Sequence, residues 1–411
     1  MKSVFDKNMK KSNAKTNNVL KIKVMGVGGA GCSTVKRMVQ KKVPGVEYIA
    51  VNTDNQALQD LSGPVRKIRI GKTLTKGLGT GGDFDLGQQA AEQNVREIKE
   101  AVKGADILFL TAGFGGGTGT GALPVIADLV GQTKAVTIAV VTKPFTFEGS
   151  QRRSVAEQGL KKMLNRVDSL IVISNNKLLH AIDRSTPILD AFSIADEIVK
   201  QGIQMFFDIF SIPGLINVDF ADIKPIIRNG GETFLGVGAA AGKDRVGQAI
   251  KNALKNPLMN VFPKGATGVI LIVSGSSDLK MTEVNEIAEN ITKQINPKAR
   301  LVFGAVLDEK LKDGIKVTLI ATGFNQSRTH GFSVQSMGKD KLQEGLEEGG
   351  REKASSLPRI IKKNDIYVYQ EKKENQREIR EKGAKDEETE LNFENELDVP
   401  AFLRKKMKKG Y

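Results

Sequence analysis

The sequence predicts an α/β fold: a mostly parallel sheet covered by helices on both faces, a long buried helix, and a smaller second α/β unit. Three observations lead there. Short apolar runs such as Ile107-Leu108-Phe109-Leu110 have the length and continuity of strands buried on both faces. Helical patterns follow them after short links, which is the repeat of a parallel sheet. Three of the links are dense in glycine. In such a sheet all three would share one edge, beyond the strand C-termini, where ligands bind.

In chain order, the first 18 residues form a basic arm without apolar periodicity, and residues 1–24 hold seven lysines against one aspartate. From Val19, LKIKVMGVGGAGCSTVKRMVQ reads as strand, glycine turn and helix. Gly26-Val27-Gly28-Gly29-Ala30-Gly31 fits G-x-G-x-x-G, and the next strand, Val46–Val51, carries Glu47. That is a dinucleotide fingerprint, so a nicotinamide-dependent oxidoreductase stands as an alternative resting on one short match. Cys32, one residue past the loop, reads as a small packed residue, because no histidine is near it in sequence. Thr53–Leu61 reads as a short helix, Arg66–Ile70 as a strand, and Gly71–Gly82 as a loop with five glycines. Arg66 stands where G-x-x-x-x-G-K-T needs glycine, so Gly71-Lys72-Thr73 closes no P-loop. Leu86–Val102 is expected to form one amphipathic helix.

The organising stretch is Ala105–Val130, ADILFLTAGFGGGTGTGALPVIADLV. After the strand come Gly113, Gly115, Gly116, Gly117, Gly119 and Gly121, then a helical pattern of Ala122, Val125, Ile126 and Leu129. Bare backbone N–H groups at the positive end of a helix attract anions, and six glycines are more than a tight turn needs. Phosphate oxygens could reach that backbone, with Thr118 and Thr120 adding hydroxyl donors. Strand Ala135–Thr142, helix Ser150–Val167 and strand Ser169–Ser174 continue the alternation. Pro187–Phe210 is apolar nearly all round and is expected to be a spine buried between two bodies.

Past Pro213, strands Thr233–Ala239, Gly268–Val273, Arg300–Val306 and Gly314–Thr322 alternate with helices Asp244–Leu254 and Glu283–Ile295. This smaller unit has no glycine-rich phosphate loop. Between spine and second unit, Asp222 reads as the N-cap of a helix at Ile223–Arg228. Asn217 and Asp219 have no such role, and alternate positions of an extended stretch point one way. Residues 339–390 have the composition of a solvated linker, the Ile360–Tyr369 patch excepted. Leu397–Leu403 returns to apolar character and is followed by Arg404-Lys405-Lys406 and Lys408-Lys409, a short segment suited to docking on a tether.

Bulk composition narrows the function. A hydrophobic fraction of 40% with no tryptophan and 5% aromatic residues suits an aliphatic core, and 411 residues leave room for two domains. One cysteine excludes an intramolecular disulfide and fits a reducing compartment. No apolar run is long enough for a membrane span, and the N-terminus lacks the apolar core of a signal peptide, so a cytoplasmic protein is expected. Of the net charge of +15, +6 sits in residues 1–24 and +8 is spread over residues 25–330 without a stripe or interleaved aromatics, which leaves nucleic-acid binding through the basic arm as a minority alternative.

On these motifs the chain resembles the FtsZ family, the bacterial tubulin-like cell-division GTPases. The resemblance rests on GGGTGTG at 115–121, VNTDNQAL at 51–58, TKPFTFEG at 142–149, NVDFADIK at 217–224 and DVPAFLRKK at 398–406. It spans about Leu20–Phe324 and resumes at the terminal peptide. It implies a tubulin/FtsZ-like fold: a disordered arm (1–18), a Rossmann-type GTP-binding domain (19–186), a central helix (187–211) and a second α/β domain with a synergy loop (212–324). A flexible charged linker (325–390) and a partner-binding peptide (391–411) follow.

The resemblance also implies a GTP/GDP site. Gly28, Gly29, Ala30 and Gly31 would lie along the α/β-phosphates, with Cys32 and Ser33 continuing that loop. The signature loop, Gly115, Gly116, Gly117, Thr118 and Gly119, would cradle the phosphates, and Thr80, Gly81, Gly82 and Asp83 would sense the γ-phosphate. Thr142 joins this set, Glu148 and Arg152 match ribose and phosphate contacts, and Asp196 matches the guanine contact. Read from residues alone, Glu148 and Arg152 are an i,i+4 ion pair at a helix start. Mg²⁺ is implied on the phosphates, with no protein metal ligands. Asn217, Asp219 and Asp222 are the implied catalytic residues, inserted by the neighbouring subunit of a head-to-tail homopolymer. The implied protein works at the mid-cell division site and binds membrane-anchoring and regulatory division proteins through residues 397–409. Nucleic acid and a transmembrane segment are not expected. Two departures from the family stand out. Cys32 and Ser33 replace the usual Gly and Asn, which should weaken a nucleoside contact. Gly82-Asp83-Phe84 replaces Ala-Asn-Pro, so Asp83 brings negative charge near phosphate.

Overall fold

Seven strands build one parallel sheet in the computed structural model, which describes residues 20–324 apart from 41–44, 182–185, 188–189, 191–193, 195–198, 201, 205, 207–214, 217, 229, 257–258 and 260–262. They are β1 (Ile22–Val27), β2 (Val46–Asn52), β3 (Val65–Arg69), β4 (Ile107–Gly113), β5 (Val136–Lys143), β6 (Ser169–Ser174) and β7 (Gly231–Glu232), in the order β3-β2-β1-β4-β5-β6-β7. The direction of winding reverses between β1 and β4, and a sheet of this kind opens a crevice at that point.

The helices are α1 (Gly28–Gln40), α2 (Asn55–Gln59), α3 (Lys72–Thr75), α4 (Phe84–Gln93), α5 (Val95–Val102), α6 (Gly117–Gly131), α7 (Ser150–Met163) and α8 (Asn175–Ala181). Successive strand residues go to opposite faces, which is why the strands are apolar without alternation. Val24, Phe109 and Ile138 enter one core with Val35 and Met38 of α1. Met25, Leu108, Leu110 and Ala139 enter the other, with Ala90, Ile98, Ile126 and Leu160 from α4–α7. Of the expected central helix, residues 190, 194, 199–200, 202–204 and 206 are described and helical. Phe206 meets the ring of Phe109 edge-on at 5.8 Å between centroids, so this helix packs against the first core.

A second sheet of four strands holds β8 (Phe234–Ala241), β9 (Gly268–Gly275), β10 (Arg300–Leu307) and β11 (Gly314–Thr322), ordered β10-β9-β11-β8. β9 and β10 run parallel, and β11 is antiparallel to both of its neighbours. The short helix α9 (Phe220–Ile227) precedes this sheet, and α10 (Arg245–Leu254) and α11 (Met281–Thr292) flank it. The α/β class, the parallel sheet and the second sheet are as the sequence predicts.

Several details differ: the helix expected at Ser150–Val167 ends at Met163, and the loop at Gly71–Gly82 contains α3. Leu86–Val102 is two helices, because Asn94 leaves helical geometry (φ −112°, ψ 23°) and its Oδ1 accepts from Gly71 N at 2.9 Å. An asparagine that finds a backbone partner elsewhere breaks a helix at little cost. The helix expected at Glu283–Ile295 starts two residues earlier, at Met281. The two-residue strand β7 was invisible to periodicity, being too short to show any. The helix expected after Asp222 begins at Phe220 instead, and its cap is Asp219: φ −77°, ψ 143°, Oδ1 accepting from Ala221 N at 3.2 Å. Asp219 therefore has the capping role that the sequence assigned to Asp222.

Candidate functional site

β1 and β4 end side by side, with Val27 opposite Ala112. α1 starts immediately at Gly28, whose φ of +72° and position 2.9 Å (as a hypothetical Cβ) from Gly119 N admit no side chain. The two loops thus meet backbone to backbone. Gly115 has φ +98°, and its N–H donates to Thr120 Oγ1 at 3.0 Å. Thr120 therefore fixes the turn by accepting this bond, which leaves its own proton free to donate. Side chains at Gly29 and Gly116 would meet no atom within 4 Å, so the backbone at both is bare. The first turns of α1 and α6 point their unpaired N–H groups at this same crevice, which makes it attractive to anions.

The third loop closes over α6. A Cβ on Gly117 would lie 2.2 Å from Thr80 Oγ1 and 2.3 Å from Asp83 O. Thr80 Oγ1 is 3.3 Å from Thr118 Oγ1, and Thr53 Oγ1 is 2.8 Å from it, so three hydroxyls converge. Gly81 and Gly82 are exposed. Asp83 caps α4, accepting from Leu86 N at 3.0 Å, so one of its oxygens is turned toward its own helix. Gly28, Gly29, Ala30, Gly31, Thr80, Gly81, Gly82, Asp83, Gly115, Gly116, Gly117, Thr118 and Gly119 are brought to one edge.

Thr142 joins them, since it pairs with Gly113 across β4 and β5. Glu148 ends a 3₁₀ turn (Thr146–Glu148) just before α7; it accepts from Phe145 N at 2.9 Å and from Arg152 Nη1 at 2.7 Å. Arg152 lies against Gly115 through its backbone carbonyl, 2.9 Å from where a Cβ would be. The i,i+4 pair is real, and it stands beside the signature loop. Ser33 is exposed on α1. Cys32 faces inward: its thiol lies 4.0 Å from Val51 O and 3.9 Å from Asn52 Nδ2, and burial pushes it up to about 12. A thiol so protonated is no nucleophile.

Asp196 and Asn217 lie outside the described residues. Two residues on this edge were missed by sequence reasoning. Thr53 is one. The other is Asn175, which opens α8 directly after β6 and is buried with its Oδ1 unpartnered among the described residues. Its neighbour Asn176 accepts from Thr146 N at 2.7 Å, which ties this turn to that of Glu148. Asparagine at the exit of an apolar strand, on the edge that carries the glycine loops, was the available signal.

Asp219 and Asp222 are exposed and lie elsewhere. Ile216, just upstream, exchanges backbone hydrogen bonds with Ala305 of β10. Downstream, Arg228 Nη2 donates to Lys134 O, just ahead of β5, and Ser169 Oγ, at the start of β6, donates to Ile227 O. α9 is therefore anchored at the strand N-termini, opposite the glycine loops. β5 has eight residues and separates the two edges by about 25 Å, whereas the eight residues of α9 extend about 12 Å. The carboxylates cannot reach the glycine loops of their own chain.

Glu47 settles the dinucleotide fingerprint. It is the second residue of β2, at the strand's N-terminal end, and pairs with Lys23 Nζ at 2.8 Å. A ribose-binding acid would stand at the other end of the strand.

Comparison with known proteins follows this geometry. Residues 21–183 match the Tubulin/FtsZ family, GTPase domain, and residues 231–325 match the FtsZ family, C-terminal domain. An FtsZ dimer from M. jannaschii, solved empty, is 39% identical, with TM-score 0.71 over 79% of this chain and 94% of that one. A point mutant of FtsZ from M. jannaschii is 40% identical, with TM-score 0.69 over 75% of this chain and 92% of that one. CetZ2 from Haloferax volcanii, a GTPγS-bound protofilament, shares the fold at 20% identity, with TM-score 0.64 over 75% of this chain and 94% of that one.

Proposed function

The chain belongs to the Tubulin/FtsZ family of GTPases, and on that premise we propose that it polymerises head-to-tail into filaments that form the cell-division ring. GTP is hydrolysed where two subunits meet, the Asn217–Asp222 segment of one completing the site of the next. The observation that carries this is the separation of the carboxylates from the glycine loops by the height of the sheet. Exposed apolar side chains at both ends add support: Leu74, Leu78 and Phe147 near the glycine loops, and Leu215, Ile216 and Leu307 near α9. A contact between unlike ends does not close, so it grows a filament. The FtsZ structure similar to this chain is a dimer, and CetZ2 was solved as a protofilament.

In the proposed site, backbone N–H groups of Gly28–Gly31 and Gly115–Gly119 hold the phosphates, and Thr118 adds a hydroxyl. Thr80–Asp83 covers the γ-phosphate, Glu148 and Arg152 face ribose and phosphate, and Thr142 lines the same edge. Asp196 and Asn175 Oδ1, unpartnered among the described residues, offer acceptors to guanine N–H groups. Cys32 acts only through its backbone, and Ser33 offers a short hydroxyl. Among the described residues no group of three His, Cys, Asp or Glu could hold a metal ion. Mg²⁺, which takes substrate phosphates and keeps its waters, fits this chain as an ion carried by the nucleotide that offsets phosphate charge. Asp219 and Asp222 of the adjoining subunit orient a water: its oxygen attacks the γ-phosphorus, the bond to the β–γ bridging oxygen breaks, and the water proton leaves toward a carboxylate. Residues 397–409, outside the described residues, are proposed to dock membrane-anchoring and regulatory division proteins, with the polymer cytoplasmic at mid-cell.

Mixing two inactive variants tests the shared site. Asp222→Ala lacks the acid and Thr118→Val lacks the phosphate contact, yet each brings the half that the other lost. Together they should recover part of the GTPase activity. No recovery, or turnover per molecule that stays constant on dilution, would refute the reading.

A further inference from the structure

We infer that Thr53, which belongs to none of the glycine loops, positions the Thr118 hydroxyl so that its proton faces nucleotide phosphate; this rests on the reading that the phosphates lie on the Gly115–Gly119 loop. Thr53 is fully buried in the turn between β2 and α2. Its Oγ1 lies 2.8 Å from Thr118 Oγ1, which is the only partner of that hydroxyl among the described residues. Thr80 Oγ1 approaches the same atom to 3.3 Å from the third loop. The turn is itself held in place. Asn55 N donates to Gly77 O at 3.1 Å, and Asp54 caps α2 through Gln56 N and Ala57 N.

Counting protons gives the mechanism. Each hydroxyl has one proton, and phosphate oxygens only accept. When Thr118 turns its proton outward to a phosphate, its lone pairs remain for its neighbours, and both must donate inward. Thr53 has no other outlet for its own proton, so donation to Thr118 is its satisfied state. A buried hydroxyl left unpaired is costly, and the arrangement that avoids this is the one that aims Thr118 at the anion. Thr80 repeats the interaction at longer range, and only while the third loop stays over α6. Thr53 is thus a positioning residue: it acts through Thr118 and need not touch the nucleotide.

The test compares GDP and GTP affinities of the full chain with those of Thr53→Val, Thr53→Ser, Thr118→Val and the Thr53→Val/Thr118→Val double variant. Valine keeps the volume and loses the hydroxyl; serine does the reverse. Thr53→Val should weaken both nucleotides about tenfold while melting like the parent without nucleotide, and Thr53→Ser should bind like the parent. The double variant should bind no more weakly than Thr118→Val, because Thr53 acts only through that hydroxyl. Parent-like binding by Thr53→Val, or additive losses in the double variant, overturns the inference. Thr118→Val that binds like the parent would instead remove the phosphates from this loop, a failure of the underlying site. Should Thr53→Val not fold, Thr53→Ala takes its place in the same cycle.

Discussion

The glycine-loop edge of the large sheet and the acidic segment before the small one solve different problems. At the first, backbones touch: a Cβ on Gly121 would lie 1.9 Å from Phe84 O, and one on Gly87 would lie 2.4 Å from Gly117 O. At the second, Asp219 and Asp222 are exposed on a short helix tied to the large sheet only at its far end. Holding a triphosphate needs fixed donors, and close packing fixes them. Delivering a carboxylate to another molecule, as proposed, needs exposure and charge on a helix whose other face, Ile223, Ile226 and Ile227, is buried in the core. On the proposed function, one end of the molecule is a mould and the other is an insert.

The comparison breaks most visibly at Gly121. The atoms its Cβ would meet, Phe84 O and Gln88 N, are backbone, so no rotamer change relieves them. Gly121→Ala should force α4 off α6, at a cost of about 3 kcal/mol. Denaturant unfolding measures this, and a parent-like midpoint would mean that the loops are not held by close approach.

At the other end a mutation should cost chemistry and spare stability. Asp222→Ala removes an exposed carboxylate from the first turn of α9, so nucleotide binding should stay and stability should fall by only about 0.5 kcal/mol. Hydrolysis should fall roughly a hundredfold, or about 2.7 kcal/mol in the barrier. Asp219 has two roles that can be separated. Asp219→Asn keeps a good cap without the charge, whereas Asp219→Ala should also lower stability by about 1 kcal/mol. If the asparagine variant hydrolyses GTP like the parent, Asp219 is a cap and nothing more.

What was legible in the sequence follows the same division. Strand β6 was placed to the residue, because an uninterrupted apolar run bounded by turns has one reading in a sheet buried on both faces. The glycine loops were legible because few other residues survive backbone contact or positive φ. The cap was placed at Asp222 instead of Asp219, since either aspartate precedes residues able to open a helix and the helix starts three residues earlier than expected. Thr120 and Thr53 show the limit most clearly. Both are threonines near the site, but which partner each hydroxyl meets depends on contacts five and 65 residues away. Glu47 misled because the motif says nothing about which end of the strand it occupies.

Acid sharpens the contrast between the two sheets by acting on them with opposite sign. Beside the small sheet, the buried Arg245 of α10 grips Glu283 through both carboxylate oxygens, at 2.8 Å each, and also bonds Asp278 and, at 2.8 Å, Asp313 O. Arg245 holds Glu283 below its usual range, and Ser276 together with Arg245 holds Asp278 below its own. A carboxyl depressed in the folded state gives stability above its unfolded value, about 4, and loses it as pH falls through the folded one. In β7 of the large sheet the sign reverses: burial pushes the Glu232 carboxyl up, against the pull of Lys143. Its charged form is disfavoured by folding, so acidification through its raised value relieves the large sheet. The unfolding midpoint of Glu283→Gln should therefore fall at pH 7 and depend less on acid than the parent's. That of Glu232→Gln should rise at pH 7. Equal acid dependence in parent and Glu283→Gln would show that the Arg245–Glu283 pair does not fasten α10 to α11.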